Sequence, residues 1–406
     1  MNVLHVIPSV AAKEGGPSFA IKAITEALAR KGVQVTIATT GDADADPGTN
    51  DPGYRQEAVA SERDYSIVCF RREFEPYKVS FGLTRWLRKN IAGFDLVHIH
   101  ALFSFSSTMA ARIARQHSVP YLVRPLGVLN RWGMENRRPI LKRVSFRLVE
   151  LPSLLNSAAI HYTSNAERAE AASLDPQLAE HESVVIPLPV ERVAQGNAER
   201  FLDRYPKLRG CRIILILSRI HPMKGIELLL DAFAIVRNQH NDVALVIAGE
   251  GEEAYVRALR ERAGTNLRSR SASGSACPTN AEEEGAVIWT GHLSGEMKAA
   301  ALAAADVFVL PSASENFGIA AAESLAAGIP TIVSEEVALS SDIRRYDAGV
   351  VVKRDMRQLA GAISDSLSNR ERAAGLAANG RRLAEERYSP EAVRRALHEL
   401  YQKIIT

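Results

Sequence analysis

Short runs rich in valine, isoleucine and leucine alternate along this chain with longer segments of helical period. Strands of a parallel sheet have this composition because crossover helices cover both faces of the sheet. In the first half the runs are 3–7, 33–38, 95–100, 119–123, 158–162 and 184–186. The pattern predicts an α/β layer structure built on a parallel sheet.

A second alternating series starts afresh near the middle of the chain, with runs at 212–217, 243–248, 286–290, 307–310, 331–333 and 349–352. A restart of this kind in 406 residues with 46% hydrophobic content predicts two domains. The proline-bearing stretch 186–190 would serve as a short, stiff linker. We therefore expect domains over 1–188 and 189–389, followed by a last helix, 390–406, that could pack back on the first domain or lie on the second.

The composition limits which classes of binding partner and which cellular compartment are expected for this chain. The 50 basic and 47 acidic residues give a net charge of +3, which argues against a general nucleic-acid binder but allows a local basic patch. Cys69, Cys211 and Cys277 are odd in number and far apart, so they suit neither a disulfide framework nor a Cys-x-x-Cys metal site. The N-terminus does not resemble a signal peptide, and no apolar run approaches the roughly 18 residues that span a bilayer. These features predict a cytoplasmic protein whose only membrane option is peripheral, at the inner face.

A basic loop follows the run 212–217 and leads into a segment of helical period. It carries Arg219 and Lys224 beside the start of a helix, where free N–H groups and about half a positive charge are found. An anionic diphosphate is the ligand that this combination favours. Lone basic residues usually only solvate a loop edge, but these two follow the carboxyl end of a parallel strand, where α/β sheets bind ligands.

A second polar motif lies in the turn and helix that follow the run 307–310. Glu323 lies on the apolar stripe of its own helix, where a carboxylate is costly without a polar partner. Ribose hydroxyls could be that partner, and Glu315 in the turn could accept hydrogen bonds from sugar hydroxyls. The free N–H groups of Asn316, Phe317 and Gly318 could do the same. The alternative for both carboxylates is a salt bridge within the protein.

These motifs resemble those of the retaining GT-B-fold glycosyltransferases of family 4, in particular the bacterial polysaccharide-biosynthesis members. Glu315 and Glu323 match the Glu-x7-Glu signature, and Arg219 with Lys224 matches the Arg-x4-Lys clamp. Further matches follow in the family's order over nearly the whole chain: Gly15-Gly16, His98 and His100, the Ala-Gly-Glu-Gly at 248–251, and Gly291-His292. The resemblance implies two Rossmann-like, doubly wound parallel-sheet domains that face an interdomain cleft.

The resemblance also implies a role for each matching residue. Lys224 and Arg219 would hold the donor diphosphate, and Glu323 would hold the ribose. Glu315, with the backbone at 316–318, would hold the transferred hexose. The implied contacts with the nucleotide base are those of Gly249 and Leu293.

Two implied site regions fall in the first half of the chain. The backbone at Gly15 and Gly16 would approach the phosphates, which only a residue without a side chain permits. His100 would be the active-site histidine beside the sugar. His98 points the same way along the strand but is more typical of a core residue, and a core position stays an alternative for His100 as well.

The implied function is transfer of a hexose, with retention, from a uridine diphosphate sugar such as UDP-glucose to a glycan or polyprenyl-linked acceptor in polysaccharide biosynthesis. We expect His100, Glu315, Arg219 and Lys224 at the reacting centre and front-face attack by the acceptor. No divalent metal or other cofactor is expected, because two cations and a helix N-terminus can stabilise the departing diphosphate.

Other functions remain open. A sugar-nucleotide epimerase, a phosphorylase or a non-catalytic nucleotide-sugar-binding protein could use the same fold. An NAD-dependent oxidoreductase is poorly supported, because Gly249 and Gly251 lack the third glycine of the dinucleotide fingerprint.

Two further segments allow a second interpretation. Asp42, Asp44 and Asp46 alternate as in a metal-binding Asp-x-Asp, but without other ligands nearby a solvated acidic loop is favoured. The segment 112–147 contains nine basic residues with Leu129 and Trp132 interleaved. It could meet anionic lipid head groups or a polyprenyl diphosphate, or it could be a solvated helix face.

Overall fold

The computed structural model describes residues 1–11, 16–41, 54–58, 65–130, 134, 139–190, 196–268 and 286–406. The chain divides into two compact units. The first unit comprises Met1–Pro189 and Pro390–Thr406, and the second comprises Val190–Ser389. Each unit contains one β-sheet with helices packed on it.

The sheet of the first unit has the strand order β3-β4-β2-β1-β5-β6-β7-β8. Its strands are β1 (Asn2–Ile7), β2 (Gln34–Gly41), β3 (Tyr54–Ala58), β4 (Tyr65–Arg71), β5 (Leu96–His100), β6 (Tyr121–Arg124), β7 (Ala159–Tyr162) and β8 (Ser183–Val185). All neighbours are parallel except β3, which runs antiparallel to β4.

The sequence analysis missed β3 and β4. β4 contains an apolar run at residues 67–70. The element described before β4 is the strand β3 and not a helix, so this run does not fit the alternation of strands and helices. β3 has a polar sequence and pairs only at the edge of the sheet, where a strand needs no apolar face.

In the described ranges, the first unit has seven named α-helices before the second unit begins. They are α1 (Gly16–Ala29), α2 (Phe81–Asn90), α3 (Phe105–Gln116), α4 (Pro139–Ser145), α5 (Leu151–Leu155), α6 (Asn165–Leu174) and α7 (Gln177–Glu180). A π-helical segment, Phe146–Glu150, joins α4 to α5. Serine hydroxyls cap three of these helices by accepting backbone N–H bonds: Ser80 in α2, Ser104 in α3 and Ser164 in α6.

The sheet of the second unit is entirely parallel, with the order β11-β10-β9-β12-β13-β14. Its strands are β9 (Arg212–Leu217), β10 (Val243–Ala248), β11 (Val287–Gly291), β12 (Val307–Leu310), β13 (Thr331–Ser334) and β14 (Val350–Val352). The chain adds β10 and β11 on one side of β9 and then returns to add β12 on the other. The gap between the carboxyl ends of β9 and β12 is therefore a topological switch point, where open α/β sheets bind ligands.

The part of the second unit that the structure describes contains eight α-helices. They are α8 (Ala198–Arg204), α9 (Ile226–Gln239), α10 (Glu253–Arg268), α11 (Gly295–Ala304), α12 (Ile319–Ala327), α13 (Ser340–Tyr346), α14 (Met356–Ser368) and α15 (Arg370–Leu383).

The last helix, α16 (Pro390–Ile405), packs on the first unit. Its apolar face carries Val393, Leu397, Leu400 and Tyr401, which share one buried core with α1 and one face of the first sheet. The sequence had left open which domain this helix covers. None of the helices in the described ranges combines the length and the apolar content that crossing a membrane requires.

Cys69 carries a thiol that is not part of a disulfide. Cys277 lies outside the described residues.

Candidate functional site

The loops that follow β9 and β12 pack against each other at the switch point of the second sheet. The backbone N–H of Ala313 donates to the carbonyl oxygen of Met223 at 2.7 Å. Gly225 has a φ of +67°, and a Cβ added there would lie 2.2 Å from the carbonyl oxygen of Pro311. A glycine is required because both the left-handed backbone and this close approach exclude a side chain.

We expect Gly225→Ala to destabilise the protein by about 2–4 kcal/mol, through backbone strain and the clash with Pro311. Urea unfolding measures the effect. The matched control is Gly361→Ala in α14, where an added Cβ meets nothing within 4 Å. There alanine should stabilise the helix by up to about 1 kcal/mol. Equal effects of the two substitutions would contradict the proposed packing of the loops.

The two motifs identified in the sequence meet through an ion pair between Lys224 Nζ and Glu315 Oε2. The lysine ends a short 3-10 turn, Pro222–Lys224. The backbone of Glu315 is held on both sides, since its N–H donates to Glu336 O at 3.2 Å and its carbonyl accepts from Ala338 N at 3.0 Å. The two side chains are 14% and 21% exposed, so solvent can reach the pair. An incoming anion could therefore compete with the carboxylate for the ammonium group.

Glu323 also has a salt-bridge partner, an alternative that the sequence left open without identifying the partner. Lys298 Nζ on α11 lies 2.6 Å from Glu323 Oε1 on α12. This pairing explains how a carboxylate is tolerated on an otherwise apolar helix stripe. A signal was present, because Lys298 is the one cation in the alanine-rich sequence of α11.

Arg219 lies in the loop directly after β9, and its side chain is exposed. The loop is tied to the loop after β10 by two backbone bonds. Ser218 N donates to Ala248 O at 3.0 Å, and Ile220 N donates to Glu250 O at 2.8 Å. The backbone around the guanidinium is therefore fixed, while the cation itself remains accessible.

Gly249 and Leu293 lie at the same edge of the sheet, after β10 and β11. Gly249 has a φ of +155°, and its N–H donates to Gly291 O at 2.8 Å. Leu293 is half-buried. Because the strands are parallel, four consecutive loops of the sheet bring the predicted residues of this unit to one edge.

The backbone at 316–318 leads directly into α12. Gly318 is the N-cap, with a φ of +89°, and the ring of Phe317 is buried edge-on against Tyr388 at a centroid distance of 5.4 Å. The first N–H groups of α12 have no partner within the helix itself, and the helix dipole adds positive potential there. Lys224, Arg219 and this helix start together favour an anionic ligand.

The sequence also predicted site residues in the first unit, and the two histidines among them are buried. Gly15 lies outside the described residues, and Gly16 is the first residue of α1. His100 ends β5, but only 1% of it is exposed. His98, two residues earlier, is fully buried.

His100 belongs to a row of buried polar groups on the sheet face that α16 covers. His100 Nε2 lies 3.0 Å from His5 Nδ1, and Tyr401 Oη lies 3.4 Å from His5 Nε2 and 2.7 Å from His98 Nδ1. His98 Nε2 lies 3.2 Å from His161 Nδ1. The other ring nitrogen of His161, Nε2, lies 2.8 Å from the backbone carbonyl oxygen of Ile186. We call these five groups the histidine row.

The histidine row has one direction of hydrogen bonding. A neutral imidazole donates through one nitrogen and accepts through the other, and the carbonyl of Ile186 at the end of the row can only accept. His161 Nε2 therefore donates, and each earlier group donates to the next one. It follows that His100 donates through Nε2 and keeps Nδ1 as an acceptor.

Electrostatics keep the histidine row neutral. Burial is the main cause that lowers the pKa of His5 to about 3 and holds the pKa values of His98, His100 and His161 well below the usual range. The buried guanidinium of Arg124 adds to this effect. Nitrogens of His5, His98 and His100 lie within 4.8 Å of one another, as metal ligands do, but the nearby guanidinium disfavours a second buried cation.

Two family models match the chain. The one described as "Glycosyl transferase 4-like domain" matches residues 15–189, and the one described as "Glycosyl transferases group 1" matches residues 211–369. Together they cover most of the sequence, and each falls within one of the two structural units.

Individual relatives are similar over most of their length. The uncharacterized glycosyltransferase YqgM of Bacillus subtilis is 26% identical over 82% of this chain and 85% of its own. A phosphatidyl-myo-inositol mannosyltransferase of Mycobacterium leprae is 27% identical over 97% of this chain and 94% of its own.

Solved structures show the same fold over the full length. Sucrose-phosphate synthase from Thermosynechococcus elongatus has a TM-score of 0.72 at 21% identity, covering 99% of this chain and 98% of its own. Anabaena HepE, solved in complex with UDP, has a TM-score of 0.75 at 14% identity, covering 99% of this chain and 100% of its own. The predicted GT-B fold is confirmed. Because the family matches and the structural similarity lead to the same class of enzyme, we conclude that the chain belongs to the group 1, family-4-like glycosyltransferases of the GT-B fold.

Proposed function

We propose that the enzyme transfers a hexose, with retention, from a UDP-sugar, UDP-glucose in the first place, to a glycan or lipid-linked acceptor in polysaccharide biosynthesis. The observation that carries the proposal is the meeting of Lys224 and Glu315 at a topological switch point, beside the N-terminus of α12. The acceptor class agrees with the lipid named for the mannosyltransferase relative. The proposed setting is the cytoplasm, at the inner face of the membrane.

In this proposal the donor replaces one ion pair, the one between Lys224 and Glu315, and leaves the other in place. The diphosphate takes over the ammonium group of Lys224, with Arg219 as the second cation, and Glu315 is released to accept hydrogen bonds from the hexose. Glu323 accepts from the ribose hydroxyls while Lys298 keeps its charge balanced. Each buried charge thus keeps a polar partner in both states.

Backbone groups and the first unit would complete the site. The N–H groups at 316–318 hold the hexose, and Gly249 with Leu293 lies beside the base. We further propose that Gly15 and Gly16 approach the phosphates and that His100 lies beside the sugar. The direction of the histidine row leaves His100 Nδ1 to accept a hydrogen bond from a sugar hydroxyl.

The proposed reaction is a front-face displacement. The acceptor oxygen forms a bond to the anomeric carbon on the face from which the diphosphate leaves, so the configuration is retained. The acceptor proton passes to a phosphate oxygen, and the products are the glycoside and the nucleoside diphosphate. Lys224, Arg219 and the start of α12 stabilise the negative charge that develops on the diphosphate.

A metal ion is not needed for this charge stabilisation, so we expect full turnover in the presence of EDTA. The measurement is release of nucleoside diphosphate with and without the chelator, followed by addition of Mg²⁺. Loss of all turnover in EDTA and its recovery with Mg²⁺ would show that the two cations are insufficient.

The donor can be identified by thermal unfolding with a panel of nucleotide sugars. A donor at 100 times its dissociation constant should stabilise the protein by about 2.7 kcal/mol. We expect UDP-glucose to give the largest shift, whereas GDP-mannose as the best ligand would contradict the proposed donor. Turnover assays then separate the alternatives: an epimerase forms product without an acceptor, and a binding protein forms none.

A further inference from the structure

Exposed apolar side chains are concentrated on one helical segment of the first unit. Eight large apolar side chains are exposed in the described part of the chain, and four of them lie between residues 140 and 148. Their exposed fractions are 78% for Ile140, 58% for Leu141, 49% for Val144 and 73% for Leu148. We call these four residues the apolar stripe.

The apolar stripe occupies a single face of α4 and the π-helical segment. The spacing i, i+1, i+4, i+8 places the four residues within about 100° of arc on a regular helix. Phe146 of the π-helical segment is buried in the core of the unit, and Leu151 and Leu154 of α5, which follows directly, are buried in the same core. The stripe therefore points away from the core that holds the helix, and leaving it in water is unfavourable.

The polar residues of the same segment are basic. Lys142, Arg143 and Arg147 lie between 139 and 149, and this stretch of sequence has no acidic residue. Glu150, the next residue, is buried, and burial raises its pKa to about 7. The charged side chains that residues 139–149 place near the apolar stripe are therefore all positive.

We propose that this segment lies on a bilayer surface that contains anionic lipid. An exposed apolar face with lysine and arginine beside it is the pattern of a helix in the membrane interface, with apolar side chains among the acyl chains and cations at the phosphates. A second copy of the chain is disfavoured, because the basic residues of two facing segments would repel each other. The inference goes beyond sugar transfer, and a bilayer contact agrees with a lipid-linked acceptor.

The test is cosedimentation of the full-length protein with vesicles of phosphatidylcholine, with and without phosphatidylglycerol. We expect binding to the anionic vesicles that falls steeply with salt. Leu141→Gln/Leu148→Gln should lower binding roughly tenfold or more, since two apolar side chains no longer enter the bilayer. The matched control is Met356→Gln, which removes an exposed apolar side chain from the second unit and should bind as the wild type does.

A second pair of substitutions tests the charge. Arg143→Gln/Arg147→Gln should weaken binding to anionic vesicles by about thirtyfold at low salt, because each basic residue near the surface contributes to the attraction. Absence of wild-type binding, or equal binding by the leucine variant, would overturn the proposal. So would a wild-type dimer that the leucine variant dissociates, since the occupant would then be a second copy. Donor-induced thermal shifts in the same variants show independently whether the sugar site is intact.

Discussion

Lys224→Met should lower kcat for sugar transfer about 10²–10³-fold, because the side chain that stabilises the departing diphosphate is lost. All diphosphate donors should be affected alike, whereas Glu315→Ala should chiefly impair discrimination between sugars. The measurement is steady-state release of nucleoside diphosphate at saturating donor. Lys353→Met, which removes an exposed lysine of the same unit, is the matched control and should leave kcat unchanged.

The ion pair with Glu315 makes a structural explanation testable as well. Removing Lys224 alone leaves a partly buried carboxylate without its partner, which by itself destabilises the protein. Lys224→Met/Glu315→Gln removes both charges and should recover most of the stability. If the double variant also recovers turnover, the pair serves only the fold and the proposed diphosphate site is wrong.

Acid should destabilise the first unit steeply, because the four histidines of the histidine row are neutral when folded. The pKa values of these histidines are lowered in the folded state, so the unfolded chain binds protons first as the pH falls below about 6.5. The stability is fully present above that pH. Each histidine contributes a loss on the order of 1 kcal/mol between pH 7.5 and 5.5, so that all four together lower the stability by several kcal/mol. For His5 the loss continues toward pH 3.

Urea unfolding at a series of pH values measures this loss. His161→Gln keeps a donor and an acceptor but cannot be protonated in this range, so the loss should shrink by about a quarter. His117→Gln, at an exposed position outside the row, should leave it unchanged. An identical pH dependence in the wild type and His161→Gln would show that the row does not control acid stability.

Much of the candidate site was predictable from the sequence because its parts are local. Arg219 and Lys224 follow one apolar run and Glu315 follows another, and loops at the carboxyl ends of parallel strands meet at one edge. Once two parallel sheets are inferred, the direction of the strands is enough to predict that the ligand site lies at the edge formed by their carboxyl ends. The roles of these residues in sugar transfer, by contrast, were inferred from the family resemblance.

The histidine row was missed although two of its members, His98 and His100, occupy alternate positions of one strand. His5 lies between Val3 and Ile7 on β1, and His98 precedes His100 by two residues on β5, so each points to one face of the sheet. The pattern of one strand cannot show which residues lie beside it. The register that places His5 opposite His98 appears only when β1 and β5 pair.

Apart from β3 and β4, the sequence by itself determined the succession of strands and helices and the restart that separates the two sheets. It also determined the loops that carry Arg219, Lys224 and Glu315 and the helix that carries Glu323. These follow from composition and period over a few neighbouring residues. Only the tertiary structure decided which charges pair, since Lys224 and Glu315 are 91 residues apart and Lys298 and Glu323 are 25 apart. It also decided that α16 covers the first sheet, where Tyr401 joins His98 across 303 residues. Such contacts depend on strand order and register, which arise from the packing of the whole domain.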